Sequence, residues 1–323
     1  MFEALNKKIV NQNIRLVFPE PTDSRVLGAA VRLKRENLVE PVLIGNKEEV
    51  RNFANDSGFS IQGMDIFDPV NYEKYDEMVA NFVKRRKGKT TEEQAKEILQ
   101  DENYFGTMLV YMGIADGLVS GAIHSTSDTV RPALQIIKTR PGVQLTSGAF
   151  IMLRNTERLL FSDCAINIDP TAEQLAEIAV ESARTAEIFG IDPKIALLSF
   201  STMGSGAGPM VDKVREAKEI ANEMAPEYLI EGELQFDAAI DNVVAQQKAP
   251  DSKVAGEASV FVFPELQSGN IGYKIAQRLG GFEAIGPILQ GLNKPIADLS
   301  RGCIEEDVYK LSIVTANQAL KTR

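Results

Sequence analysis

Short apolar, β-branched runs alternate with longer amphipathic stretches along the chain, and this alternation constrains the fold more than any other feature. IRLVF (14–18) precedes a helical pattern starting near Thr22, and PVLIG (41–45) precedes another from about Lys47. DGLVSG (116–121) leads to a helix expected near Asp128, while KIALLSF (194–200) and SVFVFPE (259–265) each feed a further helix. Continuously apolar strands, each followed by a helix, make a parallel sheet covered on both faces. The expected class is therefore doubly wound α/β. With 323 residues, two domains are expected. Boundaries fall in TRPGVQLT (139–146) and near 293–295, which predicts one domain of residues 1–143 plus 294–323 and another of 144–293. The stretch 90–111 reads as helix after helix with no strand between, an insertion or a cap.

Composition removes several classes of function. The formal net charge is −10, and duplex DNA or an anionic membrane requires a basic surface. Neither nucleic acid nor membrane is an expected partner, and any anion site must be built locally from a few cations. The two cysteines, Cys164 and Cys303, lack metal-site spacing and suggest a reducing compartment. No signal-peptide pattern or spanning apolar run is visible, so a cytoplasmic protein is expected.

Open α/β sheets bind ligands at the carboxyl ends of their strands. GAIHSTSDTVRP (121–132) is such a loop, with the hydroxyls of Ser125, Thr126, Ser127 and Thr129, Asp128 suited to an N-cap, and Arg131 in an expected first turn. Hydroxyls, free backbone N–H groups and a guanidinium suit a phosphate. A cation in a first turn opposes the helix dipole, which an anion would explain. His124 is the only histidine. It reads as a hydrogen-bonded loop residue, since no GxSxG elbow accompanies it for a hydrolase. Arg25 follows the first strand, either on the surface or facing the same sheet edge. KRRKGK (84–89) is a solvated helix end or a docking site for a multiply charged ligand. MGSGAGPM (203–210) lacks the GK[ST] ending of a P-loop and reads as a tight turn. IADLSRGCIEED (296–307) offers Ser300, Arg301 and Cys303 before a helix expected near Ile304, whose first turn holds Glu305, Glu306 and Asp307. Carboxylates there are ordinary helix chemistry, but Asp307 lies one residue before the core-facing Val308, near the sheet edge.

DLSRGC, with an aspartate seven residues after its serine, resembles the phosphate acetyltransferases, as do SGAIHSTSDTVRPALQIIKT, GELQFDAAI and VFPELQSGNIGYKIAQRL. Phosphate butyryltransferases share parts of these motifs. The resemblance implies two α/β domains around a cleft, as in the isocitrate and isopropylmalate dehydrogenases, and a homodimer formed through the middle domain. It implies the reversible reaction of acetyl-CoA and phosphate to acetyl phosphate and CoA. CoA is then a substrate, and neither metal nor cofactor is required. Carried over, Asp307 takes the thiol proton, Ser300 steadies the oxyanion, Arg301 and Arg131 hold acetyl phosphate, and Arg25 meets CoA. The family often reads R-K-H-K-G where this chain has Lys84-Arg85-Arg86-Lys87-Gly88, so Lys84 takes the arginine's position and Arg85 or Arg86 stands in for it. The rivals are an acyltransferase with a preference for butyryl chains, a dehydrogenase of isocitrate-like fold, and a non-enzymatic anion-binding protein.

Overall fold

The computed structural model describes residues 1–322; Arg323, placed by the sequence in the first domain, lies outside the described residues. In chain order, α1 (Phe2–Ile9), β1 (Arg15–Phe18), α2 (Ser24–Arg35), β2 (Glu40–Ile44), α3 (Lys47–Asp56) and β3 (Asp65–Phe67) come first. Then follow α4 (Tyr75–Arg86), α5 (Glu92–Ile98), α6 (Glu102–Tyr111), β4 (Gly117–Ser120) and α7 (Thr126–Pro132). The hairpin β5 (Ser147–Arg154) and β6 (Glu157–Ser162) precedes α8 (Ala172–Ile188), β7 (Lys194–Leu198), α9 (Pro209–Met224) and β8 (Leu229–Leu234). The chain continues through α10 (Phe236–Ile240), α11 (Asn242–Lys248), β9 (Val260–Val262), α12 (Leu266–Arg278) and β10 (Glu283–Gln290). It closes with β11 (Ile296–Asp298) and α13 (Glu305–Thr322). Among the described residues, no helix is long and apolar enough to cross a membrane.

The chain divides into two compact units, Met1–Pro141 with Leu292–Arg323, and Gly142–Gly291. The first unit carries strands in the order β3-β2-β1-β4-β11, paired in parallel. β1, β2 and β4 are buried along most of their length, as their largely apolar sequences require, while β3 at the edge is not. The chain runs from β1 outward to β2 and β3, then returns to the other side of β1 as β4. The reversal between β1 and β4 opens a crevice at their carboxyl ends. On one face α13 packs against α2, α1 and β4, with Val308, Leu311, Val314 and Ala319 buried.

The second unit orders its strands β10-β5-β6-β9-β7-β8. Here the parallel expectation holds only for β6, β9, β7 and β8; β5 runs antiparallel to both β10 and β6. The cause is local. Arg154 pairs with Glu157, leaving a two-residue turn whose first residue, Asn155, has φ +54°, the backbone a tight hairpin requires. The core of this unit gathers Phe150, Phe161, Phe261 and Leu198.

Candidate active site

Three loops of the first unit follow β1, β4 and β11, and one buried carboxylate on the first holds the second. Glu20, just past β1, is 2% exposed. Its Oε2 accepts from the amides of Gly121 (3.1 Å) and Ala122 (2.9 Å), and its Oε1 from those of Ile123 (2.9 Å) and His124 (2.8 Å). The His124 Nδ1 lies 2.7 Å from Oε1. Burial alone would raise this carboxyl, but the His124 ring and the converging amides outweigh it and hold Glu20 below its ordinary value. The partner responds in kind: the Glu20 bond raises His124 against the opposing effect of burial.

Arg25 ties the β1 and β4 loops to the third. Asp23 caps α2 by accepting from the Arg25 amide, and its carboxylate holds the Arg25 Nε at 2.9 Å and Nη2 at 2.7 Å. The same Nη2 donates to the Ala122 carbonyl at 2.9 Å, and Nη1 donates to the carbonyls of Arg301 (3.0 Å) and Cys303 (2.9 Å). Those bonds use the five donors of a guanidinium. Arg25 therefore turns inward as a brace between loops, and the contact with CoA implied by the resemblance has no unused N–H to draw on.

The hydroxyl-rich loop differs in detail from its sequence reading. The helix begins at Thr126 with Ser125 at its cap. Asp128 is the third helical residue, and accepts from the Ser125 amide at 3.0 Å and hydroxyl at 2.7 Å, bonds that lower its carboxyl. Because the helix starts early, Arg131 is its sixth residue, past the first turn, and helical backbone continues beyond it through Ala133–Ile137. At that position the helix dipole neither opposes nor favours a cation, so Arg131 gives no dipole reason for an anion. Arg131 donates to Ser127 Oγ at 2.9 Å, and both side chains are exposed along with Thr126. Thr129 is buried, its hydroxyl facing the Asp298 carboxyl.

The Lys84–Lys89 run resolves into separate roles. Arg85 donates to the carbonyls of Ile136 (2.6 Å) and Ile137 (2.9 Å) and lies over the Tyr111 ring, so it is structural. Lys84 is exposed on the last turn of α4. Arg86 shares a neighbourhood with Arg131: burial raises the Tyr104 phenol, and the charges of Arg131 and Arg86 pull it back. Lys138 is lowered by burial and then by Arg85, Lys87, Arg86 and Lys89.

The third loop presents Ser300 and Arg301 to solvent. Ser300 Oγ accepts from the Gly302 amide at 3.3 Å. Cys303 is buried, and its thiol is pushed up to about 11 by burial, with Asp307, Asp23 and Glu20 adding to the rise and Arg25 opposing it. Such a thiol is a poor nucleophile at neutral pH. Asp307 lies in the first turn of α13, where its Oδ2 accepts from the Ile304 amide at 2.9 Å. Below this loop, Asp298 ends β11 at 1% exposure with Oδ1 unpartnered. Burial pushes its carboxyl up to about 6, against the Thr126 and Thr129 hydroxyls and aided by the Glu20 charge. Sequence reasoning missed Glu20, Asp23 and Asp298. Their signal was position alone, an acidic residue at or just beyond the end of a buried strand.

The geometry thus gathers hydroxyls, two exposed arginines and a helix-start carboxylate at one sheet edge. Comparison with known proteins gives the same direction. A family model described as phosphate acetyl/butaryl transferase matches residues 1–316. The chain belongs to the phosphate acetyl/butaryl transferase family. It is an enzyme, an acyltransferase. A phosphate acetyltransferase of Bacillus subtilis is 57% identical over 320 residues, covering 99% of each chain. The crystal structure of a phosphotransacetylase from Streptococcus pyogenes superposes with a TM-score of 0.97 at 62% identity, covering 99% of this chain and 98% of that one. The EutD phosphotransacetylase of Staphylococcus aureus gives 0.94 at 55%, covering 98% of each.

Proposed function

We propose that the chain interconverts acetyl-CoA plus phosphate and acetyl phosphate plus CoA, by direct thiolate attack in a ternary complex. The observation that carries this reading is the Arg25 brace, which joins the loop behind the Ser125–Arg131 hydroxyls to the loop of Ser300 and Arg301.

In this reading Asp307 receives the CoA thiol proton. Full transfer from a free thiol to an ordinary carboxylate costs about 6 kcal/mol, so transfer accompanies attack on the acetyl carbon and avoids that full gap. Ser300 O–H donates to the oxygen on which charge builds, and Arg301 and Arg131 clamp the phosphate. The loop hydroxyls of Ser125, Thr126 and Ser127 orient it, with Thr129 supporting them from beneath. Arg86, beside Arg131, takes the role assigned by alignment to Lys84, because a guanidinium offers the bidentate fork that a lysine lacks. The crowding of like charge around Lys138 suits the multiply charged CoA. No covalent enzyme intermediate is needed, and Cys303 is a packing residue. CoA is a substrate and no cofactor is required. The proposal extends to a cytoplasmic homodimer and to a dehydrogenase-like fold.

The test is thioester formation from acetyl phosphate and CoA, with butyryl phosphate alongside. Turnover with acetyl phosphate supports the reading, and turnover with butyryl phosphate alone changes the acyl group. The Asp307→Asn variant is expected to lose at least about 100-fold in turnover with its fold intact. Near-wild-type turnover by that variant removes Asp307 as base.

A further inference from the structure

We propose that His124 is a second proton carrier of the reaction, supplying the proton that the departing phosphate requires; the inference rests on the acyl-transfer reading above. Chemistry creates the need. When the thiolate attacks acetyl phosphate and the carbonyl carbon–oxygen bond breaks, the dianionic phosphoryl group would leave as the trianion, a strong base. Asp307 receives a proton in this direction and cannot give one. A second group must protonate the leaving oxygen as the bond breaks.

The structure offers one neutral-pH acid in the loop. His124 is the only histidine in the chain and directly precedes the Ser125–Arg131 hydroxyls. Its tautomer follows from its partner. Glu20 is a buried carboxylate already accepting four backbone amides. It has no proton to offer, so Nδ1 must donate to it. Nε2 is then the titrating position, and no hydrogen bond engages it among the described residues. The ring is partly exposed, at 28% of its side-chain surface, so a ligand can reach it. The charged groups facing it are Glu20 after β1, Asp101 and Glu102 at the start of α6, and Asp128 in α7. All are acidic, and they favour the imidazolium.

Protons balance through the cycle. The thiol proton goes to Asp307 as the carbon–sulfur bond forms. The Nε2 proton goes to the bridging oxygen as the carbon–oxygen bond breaks, giving hydrogen phosphate and acetyl-CoA. Solvent then carries the proton from Asp307 to His124. In the opposite direction neutral Nε2 takes the proton from hydrogen phosphate as it attacks the thioester, and Asp307 protonates the leaving thiolate.

The decisive variant is His124→Asn, because the asparagine amide can still donate to Glu20 while the acid is gone. In the thioester-forming direction kcat is expected to fall about 100-fold or more, the usual contribution of a positioned acid. The KM values for acetyl phosphate and CoA should stay within about threefold. Wild-type kcat should decline as pH rises through the imidazolium range, and the variant should lack that decline. A variant kcat within threefold of wild type overturns the proposal. So does a fall in kcat that leaves the pH decline in place, which would mark a positioning role only. Imidazole NMR of the unmodified enzyme requires no variant. The single histidine should titrate above the ordinary 6.5 with Nδ1 protonated throughout, and a ring protonated on Nε2 alone when neutral excludes it. Failure of the wild-type enzyme to form thioester is a different result, and it removes the acyl-transfer reading itself.

Discussion

Two buried carboxyls sit at the same sheet edge, and their surroundings drive them apart. Glu20 collects five N–H groups and stays ionised. Asp298 lacks a partner for Oδ1 and is pushed up to about 6. A carboxyl buried this deeply keeps its proton because the charged form has lost its water, and two hydroxyls do not replace it. The sign of the pH effect follows. The folded state binds this proton more tightly than the unfolded chain, so the contribution to stability is fully present below the ordinary carboxylate value. It is lost as pH rises through about 6. The gap is worth at most about 3 kcal/mol. Asp298→Asn, neutral at every pH, should therefore become steadily more stable relative to wild type between about pH 4 and pH 7. Urea unfolding across that range measures it, and a constant difference would mean that Asp298 is ionised throughout. None of this was legible in DLSRGC, because the sequence shows a carboxylate and not what surrounds it.

At the scale of elements, the site depends on β4 and β11 approaching closely where the chain turns out of the sheet. Gly121 has φ +108°, and a Cβ there would lie 2.6 Å from the Leu299 amide nitrogen and 2.7 Å from its carbonyl oxygen. Neither backbone atom can move without breaking the bond from the Leu299 amide to the Ser120 carbonyl. Gly121→Ala should cost about 3 kcal/mol or more and displace the loop that Glu20 holds. A melting curve with a parallel activity assay checks this, and unchanged melting would show that the two loops can separate freely. Continuous apolar strands such as RLVF, EPVLI and KIALL were legible, because burial on both faces leaves no other pattern. The β5–β6 hairpin was not, since its turn is Asn-Thr without the glycine that signals such turns. The helix start was misplaced at Asp128 because Ser125 and Asp128 form a reciprocal cap, in which either residue suits the first position. The basic run could not be apportioned from sequence, because Arg85 and Arg86 differ only in which side of α4 they occupy.

For the whole molecule, α12 poses the question of what covers it. Its inward side is complete. Gly269 and Gly272 let the helix approach Asp163 and Phe263 closely, and Tyr273 stacks on Phe150 with ring centroids 4.0 Å apart. The helix is nevertheless apolar on a second side. Ile271, Ile275 and Leu279 recur every fourth residue and are 55%, 54% and 85% exposed. A surface helix in contact with water normally keeps its outer side polar, and an aligned apolar stripe marks a contact surface. The proposed homodimer gives this stripe an occupant, the same helix of a second copy, which a two-fold axis places against itself. Leu279→Asp combined with Ile275→Asp puts two carboxylates into each side of that contact without touching the inward residues. Light scattering should find the wild type at twice 35.4 kDa and the double variant at the mass of a single chain, still folded by circular dichroism. A double variant that remains dimeric would place the interface elsewhere on the surface. The residues assigned to chemistry all belong to the first unit, so residual thioester formation by the monomeric variant would show that pairing supports the site without completing it.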